Sequence, residues 1–184
     1  PAIVMNAAVG DRSAAPTLGF GDGDTGLFES ADDVLNTSIA GTVRMKLDAN
    51  SRISLSNNDG NSYNTVFGKN AFEPTSDGDV GADYNVAVGE LAMGTGTTTD
   101  ATYNTAVGYK ALEDITTGDY NVTLGNEAGL GLTDGERNVF VGHAAGSTST
   151  SVDRAVFVGH GAAYAGNITA DADGSIGVGY HSLA

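Results

Sequence analysis

Tyr103-Asn104-Thr105-Ala106-Val107-Gly108 is the stretch on which the reading of this chain turns, because its pattern recurs in degenerate form seven times between Tyr63 and Leu183. Aligned on the closing glycine, the copies are 63–68, 84–89, 103–108, 120–125, 137–142, 154–159 and 174–179, with glycines 21, 19, 17, 17, 17 and 20 residues apart. Self-similarity at such a period is the mark of a stacked repeat.

The columns of the alignment carry the physics. Position two is Asn64, Asn85, Asn104, Asn121, Asn138, Ala155 and Ser175, a ladder of small and mostly polar side chains. Position three is Thr65, Val86, Thr105, Val122, Val139, Val156 and Ile176; position five is Phe67, Val88, Val107, Leu124, Val141, Val158 and Val178. Side chains two apart share one face of a strand, so each copy reads as a short strand with positions three and five on its buried face, closed by glycine. Three residues past the glycine stands a small residue: Ala71, Ala92, Ala111, Ala128, Ala145, Ala162 and Ser182. A small side chain at a fixed step after glycine marks a corner where backbones approach closely.

Like strands at this period are expected to stack as turns of a solenoid about 4.8 Å apart, so that equivalent residues form ladders along its axis. A sandwich of unrelated strands would show hairpin signals and no identity down the columns. Two apolar side chains per turn are few for the length of chain that must be ordered, and the segments 95–102, 116–119 and 147–153 are polar. The expectation is therefore an oligomer: strands facing a shared axis, polar excursions facing solvent, and loop length free to vary.

Residues 1–60 lack the repeat. The stretch 15–28 reads as two short apolar strands around a glycine and aspartate turn. Strands are expected over Val34 to Ile39, Thr42 to Leu47 and Arg52 to Leu55, with turns at Ala40-Gly41 and 48–50. This is a small β-meander, and the domain expectation is 1–60 for the meander and 61–184 for the repeat.

The run from Asn104 to Leu112, with its copies, resembles the repeat of bacteriophage tail fibres and is similar also to the head repeat of trimeric autotransporter adhesins. The order Gly21-Asp22-Gly23-Asp24-Thr25-Gly26, then Leu27-Phe28, then Ala31-Asp32-Asp33, then a strand ending in Asp48, resembles a segment that precedes such repeats in phage tail fibres. The resemblance implies an obligate homotrimer. The fold expectation is all-β: an elongated homotrimeric β-solenoid or β-roll fibre of seven repeats, preceded by the meander.

Composition bounds the function. The 184 residues hold 27 glycines without the every-third-residue period of collagen, 3 prolines and no cysteine, which excludes a disulfide framework and thiolate chemistry. No apolar run is long enough to span a bilayer, and the residues from Pro1 to Met5 do not read as a signal peptide. A chain beginning at proline reads as a fragment. The net charge of −15, which a trimer triples, repels nucleic acid and anionic membranes, so neither is an expected partner. It fits a salty habitat, where screening relieves the self-repulsion, as well as it fits simple solubility.

Candidate sites are sparse. Asp22, Asp24 and Glu29 supply carboxylates on a bent loop, as calcium requires, although their spacing departs from a twelve-residue calcium loop; Asp77, Asp79 and Asp83 form a second such group. His143 and His160 follow the glycine in one column and His181 lies one column later; at a threefold axis three imidazoles would surround a metal. The competing account is turn chemistry for the acids and solvent exposure for the histidines. Tyr63, Tyr84, Tyr103 and Tyr120 share a column and suggest either cross-turn stacking or an aromatic strip for sugar. The glycine-rich stretch 125–135 lacks the lysine of a phosphate loop, and no nucleophile, base and carboxylate stand at catalytic spacing.

The resulting expectation is a non-enzymatic structural segment of a phage tail fibre, in the virion, that positions and contributes to attachment to a polysaccharide or protein receptor on a bacterial surface. The alternatives are the head of a bacterial surface adhesin and a polysaccharide depolymerase with a cleft between chains. Tail fibres that these repeats resemble are often made with a C-terminal intramolecular chaperone that registers three chains and then cuts itself off, so Ala184 is read as the end left by such cleavage or as a boundary of another kind.

Overall fold

The computed structural model describes residues 3–5, 18–20, 25–29, 35–47, 53–55, 63–72, 81–94, 98–164, 168 and 172–183. The chain divides into two compact units, Pro1–Asn57 and Asn58–Ala184.

The first unit is a six-stranded sheet in chain order: β1 (Ile3–Met5), β2 (Leu18–Phe20), β3 (Thr25–Glu29), β4 (Leu35–Ile39), β5 (Thr42–Leu47) and β6 (Ile53–Leu55). Every neighbour is antiparallel. Ala40 and Gly41 link β4 to β5 with φ of 50° and 72°, the two left-handed residues that a tight hairpin turn needs to match the twist of its strands. The register slips between Thr37 and Ser38, a bulge in the middle of that hairpin. β1 had no reading in the sequence, where Ile3-Val4-Met5 is an isolated apolar triplet.

The second unit is a parallel solenoid. Its strands are β7 (Thr65–Phe67), β8 (Val86–Val88), β9 (Thr105–Val107), β10 (Val122–Leu124), β11 (Val139–Val141), β12 (Val156–Val158) and β13 (Ile176–Val178), joined in chain order into one parallel sheet. Pairing is in register throughout, so Ala106, Thr123, Phe140 and Phe157 lie one above another. Ladder bonds continue beyond the strand, as where the Gly125 N–H donates to the Val107 carbonyl at 2.9 Å. At the end of every strand from β7 to β12 the glycine column has no room for a side chain. A Cβ on Gly108, whose φ is 140°, would collide with the carbonyl oxygen of Gly125.

Past the glycine the chain alternates into the left-handed region, at Lys110 (φ 56°) and Leu112 (φ 51°) in one turn. This alternation sends successive N–H groups to opposite neighbours. Lys110 donates to the Glu90 carbonyl at 3.0 Å and Leu112 to the Ala128 carbonyl at 3.1 Å, so the corner is laddered like the strand. The small column after the glycine points inward, and Ala92, Ala111, Ala128, Ala145 and Ala162 are fully buried.

The burial of the strand faces reverses the reading made from hydrophobicity. Positions three and five, expected on a buried face turned toward an axis shared between chains, are half-buried or exposed in the single chain, and it is the middle residue that is enclosed: Ala87, Ala106, Thr123, Phe140 and Phe157. The position-two asparagines join them inside, with Asn85, Asn104, Asn121 and Asn138 almost wholly buried. The physical reason is packing space. A narrow coil has room for one inward side chain per three-residue strand, and the two flanking side chains must point away. The polar excursions are corrected as well, since Thr98, Ala101, Ser149 and Val152 within them are buried.

Core volume is shared between the strand and the corner that packs against it. In the turns where the mid-strand residue is Ala87 or Ala106, the fourth residue after the glycine is Met93 or Leu112, and both are buried. Where it is Phe140, that position is Gly146, at which a Cβ would sit 2.8 Å from the phenyl ring. Phe140 and Phe157 stack with ring centroids 5.0 Å apart. In these turns a large residue on one wall is traded for a small one on the other, while at Thr123 and Gly129 both are small and side chains of the adjacent turns, Leu112 and Phe140, close on Gly129.

Candidate functional site: an outward apolar sheet face beside an aromatic ladder

Rigidity begins with the buried asparagines. Each Oδ1 accepts the backbone N–H of the next asparagine in the column, Asn64 from Asn85 at 2.8 Å, Asn85 from Asn104 at 2.8 Å and Asn104 from Asn121 at 2.9 Å. Each Nδ2 donates across the coil to a carbonyl, that of Ala101 from Asn85 at 2.8 Å and that of Gly135 from Asn121 at 2.9 Å. An amide has both a donor and an acceptor, so a single side chain satisfies both walls of a corner that would otherwise bury unpaired backbone. The ladder runs as far as the Ala155 N–H, which donates to Asn138 Oδ1 at 2.9 Å.

The residue just before position two of the repeat turns the chain into the strand. Tyr84, Tyr103, Tyr120, Arg137 and Arg154 all sit in the left-handed region, with φ of 63°, 58°, 58°, 60° and 56°. That conformation throws the side chain outward, and all five are exposed. The four tyrosines expected to share a column do so: rings of Tyr63, Tyr84, Tyr103 and Tyr120 are stacked at 4.9, 4.9 and 5.0 Å, within 7° of parallel. Arg137 continues the column with its guanidinium 5.4 Å from the Tyr120 centroid, a cation–π contact, and it pairs with the Glu136 carboxylate. The arginines were missed in the sequence although they occupy the same alignment position as the tyrosines. Charge and ring share the geometry here, not the residue class.

One residue earlier runs a column of carboxylates that tie turn to turn. Asp119 Oδ1 accepts from the Thr102 N–H and hydroxyl, and Asp153 Oδ1 accepts from the Glu136 N–H at 2.8 Å. Tyr84 has its phenol held above the ordinary value of 10.0, chiefly by desolvation and then by Tyr103, Tyr63 and Asp83. On another corner the Lys110 ammonium, 3.0 Å from Glu113 Oε2, is pushed up first by that hydrogen bond.

The two outward strand columns form the other feature. They comprise Val86 and Val88, Thr105 and Val107, Val122 and Leu124, Val139 and Val141, Val156 and Val158, and at the two ends Thr65, Phe67, Ile176 and Val178. Leu124 is 50% exposed and Val122 42%, in the middle of the sheet. Branched apolar side chains two residues apart on strands stacked in register make a flat, regular surface.

Within one chain the candidate histidines stack on one another. His143 and His160 have centroids 4.8 Å apart and rings within 14° of parallel, and His181 lies 5.8 Å from His160. Among the described residues no group of three or more His, Cys, Asp or Glu is placed to hold an ion. Asp22, Asp24, Asp77 and Asp79 lie outside the described residues, as does the side chain of Glu29 in β3. No protein-family model, curated protein or solved structure matches this chain.

Proposed function

We propose that this chain is a non-enzymatic structural segment of an extracellular fibre of the phage tail-fibre kind, built as a homotrimer of seven-repeat solenoids, that positions and contributes to attachment to a bacterial surface receptor. The observation that carries the reading is the outward apolar face of the parallel sheet. Valine and leucine, with Thr105 as the one polar exception, fill the two outward columns of the central turns and face away from the chain's own core, and a largely apolar surface of that kind marks a contact with another macromolecule.

A second copy of the chain is the occupant we assign. The face repeats once per turn, so a partner with the same rise meets it in register along its whole length, and another copy has that rise by construction. The face holds no charged side chain at either column, so the charge of −15 that would separate three chains is kept off the contact. Three copies, and not two, follow from the resemblance to trimeric fibres. In that arrangement attachment gains from multivalency, because weak contacts on three chains add through effective concentration.

Light scattering after gel filtration tests this. The expected mass is three times the 18.5 kDa of the chain, and a monomer at micromolar concentration overturns the reading.

A further inference from the structure

We propose that the exposed column Tyr63, Tyr84, Tyr103, Tyr120 and Arg137 is a binding strip for an extended, uncharged polysaccharide. The inference deepens the attachment reading above and rests on it for its biological setting, but its test is separate.

Backbone conformation is the first argument. Tyr84, Tyr103 and Tyr120 occupy the left-handed region, where a bulky side chain is an outlier and glycine or asparagine sits with less strain. Gly174 fills the same column in the last copy at φ 75°. The fold therefore has no need of an aromatic residue here. Arg137 and Arg154 hold the same column at φ 60° and 56°, so the backbone here does not select for a ring.

Geometry and charge define the ligand. The rings cover one another's faces, so what the strip presents is a comb of ring edges and phenol hydroxyls, one per turn, 4.9 to 5.0 Å apart. That interval is comparable to the length of one hexose in an extended chain, so successive sugars meet equivalent tyrosines. Arg137 supplies planar donors at one end of the comb. Beside it Asp119, Glu136 and Asp153 supply acceptors, the first and last each using one carboxylate oxygen to hold the neighbouring turn. Sugar hydroxyls both donate and accept, and their ring C–H groups pack on aromatic edges. The carboxylate column and the net charge of −15 repel a polyanion, so a nucleic acid or a sulfated or uronic polymer is disfavoured.

Native affinity electrophoresis of the full chain tests the strip, with dextran, a mixed-linkage β-glucan or galactomannan cast in the gel and dextran sulfate as the polyanion. The double variant Tyr84→Asn with Tyr103→Asn removes two rings while keeping residues that accept a left-handed backbone. We expect retardation of the wild-type chain by at least one neutral polymer and none by dextran sulfate. Retention of the variant should fall at least about tenfold, since contacts in series multiply. The proposal is overturned by absence of retardation on every neutral polymer, by retardation on dextran sulfate alone, or by equal retention of the variant. A change of oligomeric mass in the variant also overturns it, because the strip then belongs to the contact between chains. A trimer that is not retarded sinks the strip and leaves the fibre reading standing; a monomer that is retarded does the reverse.

Discussion

Asn104 Oδ1 accepts two hydrogen bonds from Asn121, one from its backbone N–H at 2.9 Å and one from its side-chain Nδ2 at 3.0 Å. Asn121 offers the same pair of contacts to Asn138, at 3.0 and 2.9 Å. Polar side chains normally weaken a core, but here each one replaces a backbone partner that the left-handed corner removes. Replacing Asn121 by leucine, of similar size, strands the Asn138 N–H and the Gly135 carbonyl. Each unsatisfied group costs about 1–3 kcal/mol, so a loss of about 2–6 kcal/mol is expected for Asn121→Leu. Urea unfolding at one protein concentration measures it; a midpoint equal to that of the wild type would remove the ladder from the account of stability.

The exchange of volume between Phe140 and Gly146 makes a second prediction. Phe140→Ala should cost about 3–5 kcal/mol through lost burial and an unfilled cavity. Gly146→Leu alone should also destabilise, because the ring occupies the space beside it. Combined, the two changes recreate the Ala106 and Leu112 arrangement of an earlier turn, and Leu112 holds φ 51° where Gly146 holds 62°. The double variant is therefore expected to be more stable than either single one. Additive losses in a double-mutant cycle would show that the two positions do not share a cavity.

How much of this was legible in the sequence depends on which side of the strand is considered. Column identity located β7 to β13, because glycine and alanine recur for steric reasons that composition displays directly. Which face is inside was misread. Val122 and Leu124 look like core and Asn121 and Thr123 look like surface, yet burial runs the other way. Hydrophobicity records that a side chain leaves water and does not say whether its own chain or another surface covers it. The inward column had a subtler signal: Ala87, Ala106, Phe140 and Phe157 vary in size while the corner residues Met93, Leu112, Gly146 and Ala163 vary against them, with Thr123 and Gly129 outside the pattern. The tyrosine column was legible from spacing alone, whereas the arginines that extend it were not, because they differ in class.

Ionisation of the aromatic ladder gives a third prediction. Desolvation first, and then the neighbouring Tyr103, Tyr63 and Asp83, hold the Tyr84 phenol above 10.0. A raised folded-state pKa means that Tyr84 favours the folded state fully below the unfolded pKa, and that this contribution is lost as pH rises through the folded pKa. In a tyrosinate absorbance titration, the component missing from Tyr84→Phe is expected to titrate above pH 10. If that component titrates at or below the ordinary phenol value, the ladder exerts no such effect on Tyr84.

The sharpest prediction separates the two faces of one strand. Phe140 is fully buried and Val141, next in sequence, points outward and is half-buried. A carboxylate at position 140 has no water and no partner, so Phe140→Asp is expected to abolish the fold of its turn, a loss of several kcal/mol. A carboxylate at position 141 reaches solvent in the single chain but, in the proposed trimer, would be buried once from each copy where the three sheets meet. Val141→Asp is therefore expected to keep the far-ultraviolet circular dichroism of the wild type while its mass by light scattering falls from three chains to one. Unfolding of Val141→Asp to the same degree as Phe140→Asp would mean that the face is needed by the chain itself. A Val141→Asp trimer of undiminished stability would mean that the outward columns contact no other copy, and the proposed assembly would have to use a different surface.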